Sequence, residues 1–165
     1  MKTKTAYLGV FAALAIIFGY LESLIPFHIG IPGVKLGLAN IVTVVMLYKM
    51  GVREAGVVTV VRVFVVGFLF SNTFSIIYSL VGCFLSLITM SLLKKRERFS
   101  IYGISMAGGV THNIGQIAMA SVVMETGSIW YYFPVLLISG VLTGLVIGIV
   151  SWEMLKRIKD FKISE

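Results

Sequence analysis

Two apolar stretches of this chain hold the residues best equipped for chemistry: Arg62 in one, and His112, Asn113 and Gln116 in the other. Residues three and four apart share a helical face. Gly109, His112, Asn113, Gln116 and Ala120 therefore line one side of a helix from Ile104 to Val123, while Ile104, Val110, Ile114 and Ile117 turn mostly elsewhere. Uncompensated polar groups in hydrocarbon cost several kcal/mol, so such a stripe must face other helices, a cavity or a ligand. A guanidinium clamps carboxylate or phosphate in bidentate fashion, and with an imidazole and two amides beside it the chemistry is anion recognition.

The elements that must position these groups follow from composition. The chain has 165 residues, 58% hydrophobic and 13% charged, against about 25% charged in soluble domains. Its mean hydropathy is +1.00. These values describe an integral membrane protein, and the pattern predicts one all-α domain over 1–165 with six transmembrane helices, at about 6–25, 36–48, 55–70, 74–93, 104–123 and 131–152. The N-terminal apolar run is long and no small-x-small cleavage site follows it, so it reads as a retained first helix. Two prolines and two glycines between Pro26 and Lys35 forbid a continuous helix there and make His28 a loop residue. Trp130, Tyr131, Tyr132 and Pro134 open the last span and Trp152 closes it, as membrane interfaces favour. A charged amphipathic tail follows from Glu153 to Glu165.

Positive residues sort by loop. Lys2, Lys4, Lys49, Arg53, Lys94, Lys95, Arg96, Arg98, Lys156, Arg157, Lys159 and Lys162 fall on one side of the six spans, and Lys35 on the other. The positive-inside rule then puts both termini in the cytoplasm of a multi-pass cell-membrane protein. It also accounts for the net charge of +7 without nucleic acid.

At about 1.5 Å per residue, Arg62 and His112 each lie roughly 10 to 12 Å into their helices, and Glu22 roughly 24 Å from the inner side. Glu22 is thus a poor partner for Arg62, and no other acid lies within a span. Three outcomes stay open for Arg62: snorkelling to the inner surface, hydrogen bonding to helix-5 polar groups and carbonyls, or an anionic ligand. Under the last, Arg62, His112, Asn113 and Gln116 form the substrate site, with Glu22 and Asn40 at its mouth. Glu22 reads equally as a simple interfacial carboxylate. On the first helix Thr5, Gly9 and Ala13 make a small-residue stripe that serves either a docking partner or internal packing. The single cysteine, Cys83, reads as a small buried hydrophobe and excludes an internal disulfide.

Diphosphate chemistry needs clustered aspartates to hold magnesium, and the only aspartate is Asp160, in the tail. No P-loop, metal-spaced Cys/His cluster or haem attachment site occurs. The expectation is therefore a non-enzyme with no metal or cofactor site, unless it serves as one subunit of a larger enzyme.

The stretch Ile31 to Ile41, IPGVKLGLANI, together with THNIGQ at Thr111 to Gln116 and six short spans over nearly the whole chain, resembles the Gx transporter family, often labelled heptaprenyl diphosphate synthase component I. In size, span count and first-helix stripe that family is similar to the substrate-binding S components of energy-coupling factor (ECF) transporters. The resemblance implies an S-component-like bundle that captures a small anionic, isoprenoid or vitamin-like substrate beneath the loop Pro26 to Lys35. It implies docking through Gly9 and Ala13 to a transmembrane coupling subunit driven by two cytoplasmic ATPases. S-component sites lie near the outer half, whereas Arg62 and His112 are expected at mid-depth or deeper. The alternative is a non-transporting membrane subunit that assists prenyl diphosphate or quinone synthesis or a flavin-linked redox system.

Overall fold

A computed structural model describes residues 2–24 and 37–158. The loop expected over Pro26 to Lys35, with His28, and the tail beyond Ile158 lie outside the described residues. Within them are six α-helices and no strand: α1 (Lys2–Leu24), α2 (Leu38–Lys49), α3 (Val52–Phe70), α4 (Thr73–Lys95), α5 (Ile101–Val123) and α6 (Phe133–Arg157). The all-helical, six-helix expectation therefore holds.

Local chemistry sets the helix ends. Asn72 caps α4 by accepting from Ser75 N at 2.8 Å, and Ser100 caps α5 by accepting from Gly103 N at 3.2 Å. The second cap starts α5 at Ile101 rather than at Ile104. Trp130, Tyr131 and Tyr132 form a separate 3₁₀ turn, Ser128–Tyr132, instead of opening α6. Pro134 then sits in the first turn of α6, where its missing N–H costs nothing. The helix runs past Trp152 to Arg157, so the first part of the expected tail belongs to it.

Three stretches, Lys4–Leu24, Thr73–Lys95 and Ser128–Arg157, are long and apolar enough to cross a membrane. α3 falls short through Arg53, Glu54 and Arg62, α5 through His112, Asn113 and Gln116, and α2 through its length. The outward faces are greasy: Phe68, Phe84 and Val122 are 71%, 67% and 69% exposed. An exposed apolar surface of this extent marks a membrane or protein-contact face.

The bundle is built around α2. Every residue from Ile41 to Leu47 is buried, as a helix apolar on all sides requires. It packs against α1, α3 and α6. The buried hydroxyls of Thr43 and Thr59 bond at 3.0 Å and tie it to α3. Lys94 donates to Leu47 O at 2.6 Å and lies 4.9 Å from the Tyr48 ring centroid, closing the carbonyl end of α2.

α5 is held between α4 and α6 by glycines. A Cβ at Gly115 would stand 2.9 Å from Gly82 Cα, one at Gly144 would stand 2.7 Å from Met106 Cα, and one at Gly109 would collide with the Gly140 carbonyl. Gly140, Gly144 and Gly148 recur every four residues and let two backbones touch, which substitutes packing for the hydrophobic drive that lipid removes. α1 lies along α3, with Lys4 Nζ 2.6 Å from Glu54 Oε1 at one end and Tyr20 against Phe70 at the other.

Two outcomes follow. Gly109→Leu forces α5 and α6 apart and lowers stability by about 1–3 kcal/mol or more, whereas Gly9→Leu, in open space, leaves it unchanged. Thermal unfolding in mild detergent separates them. The Lys4 hydrogen bond, and next the backbone N–H of Glu54 itself, hold the Glu54 carboxyl below its usual range. The clamp's contribution is thus present above the ordinary carboxylate pKa and lost as pH falls through the lowered one. Glu54→Gln should lower the midpoint at neutral pH by an amount worth about 0.5 kcal/mol. The gap should narrow as pH falls below the ordinary carboxylate range and close once it is below the lowered Glu54 value.

Candidate functional site

Arg62 lies midway along α3 and is part-buried. Its Nη2 donates to Asn40 Oδ1 at 3.4 Å and to Cys83 Sγ at 3.2 Å. Its Nε is buried without a hydrogen-bond partner. Both acceptors are neutral, the oxygen is distant and sulfur is a weak acceptor. Three helices thus converge on a cation whose charge nothing among the described residues balances.

Asn40 is brought there by the way α2 begins. Gly37 takes a left-handed conformation at φ 72°, one that favours glycine, and Asn40 N donates to Gly37 O at 2.8 Å to close the first turn. A Cβ at Gly37 would also meet Ile147 Cδ1 of α6 at 2.9 Å. No side chain of its own caps α2. Instead Glu22, from the last turn of α1, accepts from Gly37 N, which puts a carboxylate at the positive end of the helix dipole.

Glu22 and Arg62 are therefore linked through Gly37 and Asn40, without an ion pair between them among the described residues. The difference in depth expected from residue counts is bridged by the first turn of α2. That turn lies inside the bundle, because twelve residues of α2 rise only about 18 Å from the Lys49 end.

The stripe on α5 divides between two neighbours. Asn113 Nδ2 donates to Leu136 O at 2.7 Å and to Ser139 Oγ at 3.3 Å, both on α6. His112 and Gln116 face α4, where a Cβ at Gly82 would stand 2.8 Å from His112 O and 2.9 Å from Gln116 Cγ. Gly82 is next in sequence to Cys83, so adjacent residues of α4 meet α5 and Arg62. The structure thus brings Arg62 and Asn40 into contact, joins Glu22 to them through Gly37, and sets His112 and Gln116 behind α4, with Asn113 turned to α6.

Sequence reasoning did not foresee two members of this set. Cys83 is buried, as expected of a small hydrophobe, but it also accepts from Arg62. Gly37 positions Asn40 and receives Glu22; it falls within the span expected at 36–48, which gave it no separate role, and instead stands just before α2 in a left-handed conformation. Gly9 and Ala13 are exposed on α1, with open space over Gly9, while Ala15 and Gly19 of the same helix are buried against the bundle.

The model of the family described as heptaprenyl diphosphate synthase component I matches residues 11–154. The chain belongs to that family. The match takes in every residue of the candidate site, from Glu22 through Gln116. No curated protein and no solved structure matches this component I chain.

The cap on α2 can be tested apart from any ligand. Glu22→Leu removes the acceptor from Gly37 N and should cost about 1 kcal/mol of stability. Glu22→Gln keeps an oxygen there and should recover most of it. Thermal midpoints of the two variants in the same detergent check this.

Proposed function

We propose that this component I protein is a membrane substrate-binding subunit, S-component-like, for uptake of a small anionic molecule. In this reading all six helices span the bilayer as one domain, and both termini face the cytoplasm of the cell membrane. The observation that carries it is the Arg62 guanidinium, with a buried, unpartnered Nε and two neutral acceptors. A charge in that state is stabilised by an anion, and a bidentate carboxylate or phosphate would use Nε and an Nη together.

Asn40 is then the polar partner beside Arg62, and Glu22 orders the first turn of α2. His112, Asn113 and Gln116 bound the site across α4 and α6, where packing between Gly82, His112 and Gln116 couples α5 to the Cys83 layer. The exposed Gly9 and Ala13 leave α1 open to a transmembrane coupling subunit. That subunit, with cytoplasmic ATPases, supplies the energy step, for which this chain has no P-loop.

The family description favours a second reading, in which the chain is a non-transporting component that works beside another component of a prenyl diphosphate synthase. The deciding measurement is mass spectrometry of small molecules released from protein purified in mild detergent, for the native sequence, Arg62→Gln and His112→Ala. The uptake reading expects one anionic species, retained by the native protein and reduced at least about tenfold in Arg62→Gln, the loss of one charged hydrogen bond. Release of bulk lipid alone from all three, with a soluble prenyltransferase copurifying, would replace it with the synthase reading.

A further inference from the structure

α3 and α4 are clasped at one end and stand apart at the other. Near the clasp a Cβ at Gly67 would collide with Ile76, whereas at the far end a Cβ at Gly56 would meet only the tip of Leu87, at 3.4 Å. The space between them is a groove of about 780 Å³, open on its outer side. Exposed Val57, Val60 and Phe84 form its walls, and buried Thr59 and Cys83 its floor.

Two features fix what chemistry fits. The lining is almost wholly apolar and faces the hydrocarbon side of the bundle, so an occupant must be greasy where it lies between the helices. At its far end stands Arg53. The adjacent carboxylate, Glu54, is taken by Lys4, and Arg53 has no ion pair among the described residues. At the same end Lys95 closes α4 and Arg96 and Arg98 follow it. From Arg53 to Val60 the groove runs about 10 Å along α3.

We infer that this groove is a binding site for an anionic phospholipid, with an acyl chain laid between α3 and α4 and the phosphate on Arg53. An apolar channel that ends in a cation with no ion pair among the described residues matches the layout of such a lipid, and a guanidinium donates to a phosphate in bidentate form. The site does not depend on Arg62 holding a ligand. It does place a lipid chain against Cys83, whose sulfur accepts from Arg62, so its occupancy bears on the order of that layer.

Cys83 is the only cysteine and lies on the groove floor, so it serves as a reporter. The full chain is reconstituted in vesicles of phosphatidylcholine alone, or of equal parts phosphatidylcholine and phosphatidylglycerol. The rate of Cys83 alkylation by a lipid-soluble maleimide is then measured. Phosphatidylglycerol should slow the reaction about fivefold, the effect of one cation at an anionic surface. Arg53→Gln, an exposed substitution, should abolish the difference between the two lipids. Gly56→Leu should slow the reaction in both and remove the retained phosphatidylglycerol seen by native mass spectrometry. Equal rates in the two lipids, or full protection persisting in Arg53→Gln, overturn the assignment. Protection that instead rises with protein density in the membrane also overturns it, in favour of a second copy or partner helix in the groove.

Discussion

A helix buried on all sides must have both of its ends satisfied inside the protein, and this constraint on α2 organises the molecule. Its apolar middle needs no explanation beyond burial against α1, α3 and α6. Its ends do, since orphan N–H and C=O groups cannot be left in an apolar interior. Lys94 answers the carbonyl end through Leu47. At the amide end Gly37 turns the chain, Glu22 reaches across from α1, and Asn40 turns toward Arg62. Polar residues that look scattered over three helices and a loop in the sequence are therefore one connected arrangement. Arg62 is its least satisfied member, which is why the functional reading rests there.

The other half of the bundle solves a different problem. α5 carries the polar stripe and is too polar to face lipid, so it is enclosed between α4 and α6. Enclosure without side-chain bulk is what Gly82, Gly109, Gly115, Gly140 and Gly144 provide. Close backbones leave no room for a ligand along most of these seams. This separates Asn113, whose amide is satisfied by Leu136 O and Ser139 Oγ on α6, from Arg62, whose Nε is buried without a hydrogen-bond partner. The loosely packed α3–α4 seam contrasts with both, and the difference arises from which residues sit between the helices: glycine against glycine on one side, valine and phenylalanine turned outward on the other.

Membership of the heptaprenyl diphosphate synthase component I family fits a chain with no aspartate cluster of its own. A component named for a synthase need not hold the catalytic metal site. The geometry adds a part-buried cation with no counter-ion among the described residues, its buried Nε without a hydrogen-bond partner.

Sequence alone determined the class of the fold and the cast of unusual residues. Composition required helices solvated by lipid, the apolar segments numbered six, and Arg62, Glu22, Asn40 and the His112, Asn113 and Gln116 stripe stood out because each is costly in that setting. The sequence did not determine their partners. Residue counts give depth along a helix but not the direction of a long side chain or the tilt of its helix. Glu22 and Arg62 could thus be judged far apart while the first turn of α2 joins them. Nor does a shared helical face imply a shared neighbour: Asn113 and Gln116 lie one turn apart on α5, yet α6 takes one and α4 the other. The role of Cys83 and the splaying of α3 from α4 were likewise decided by tertiary packing. Both depend on which side chains fill a three-helix junction, and that is a property of the assembled bundle and not of any one segment.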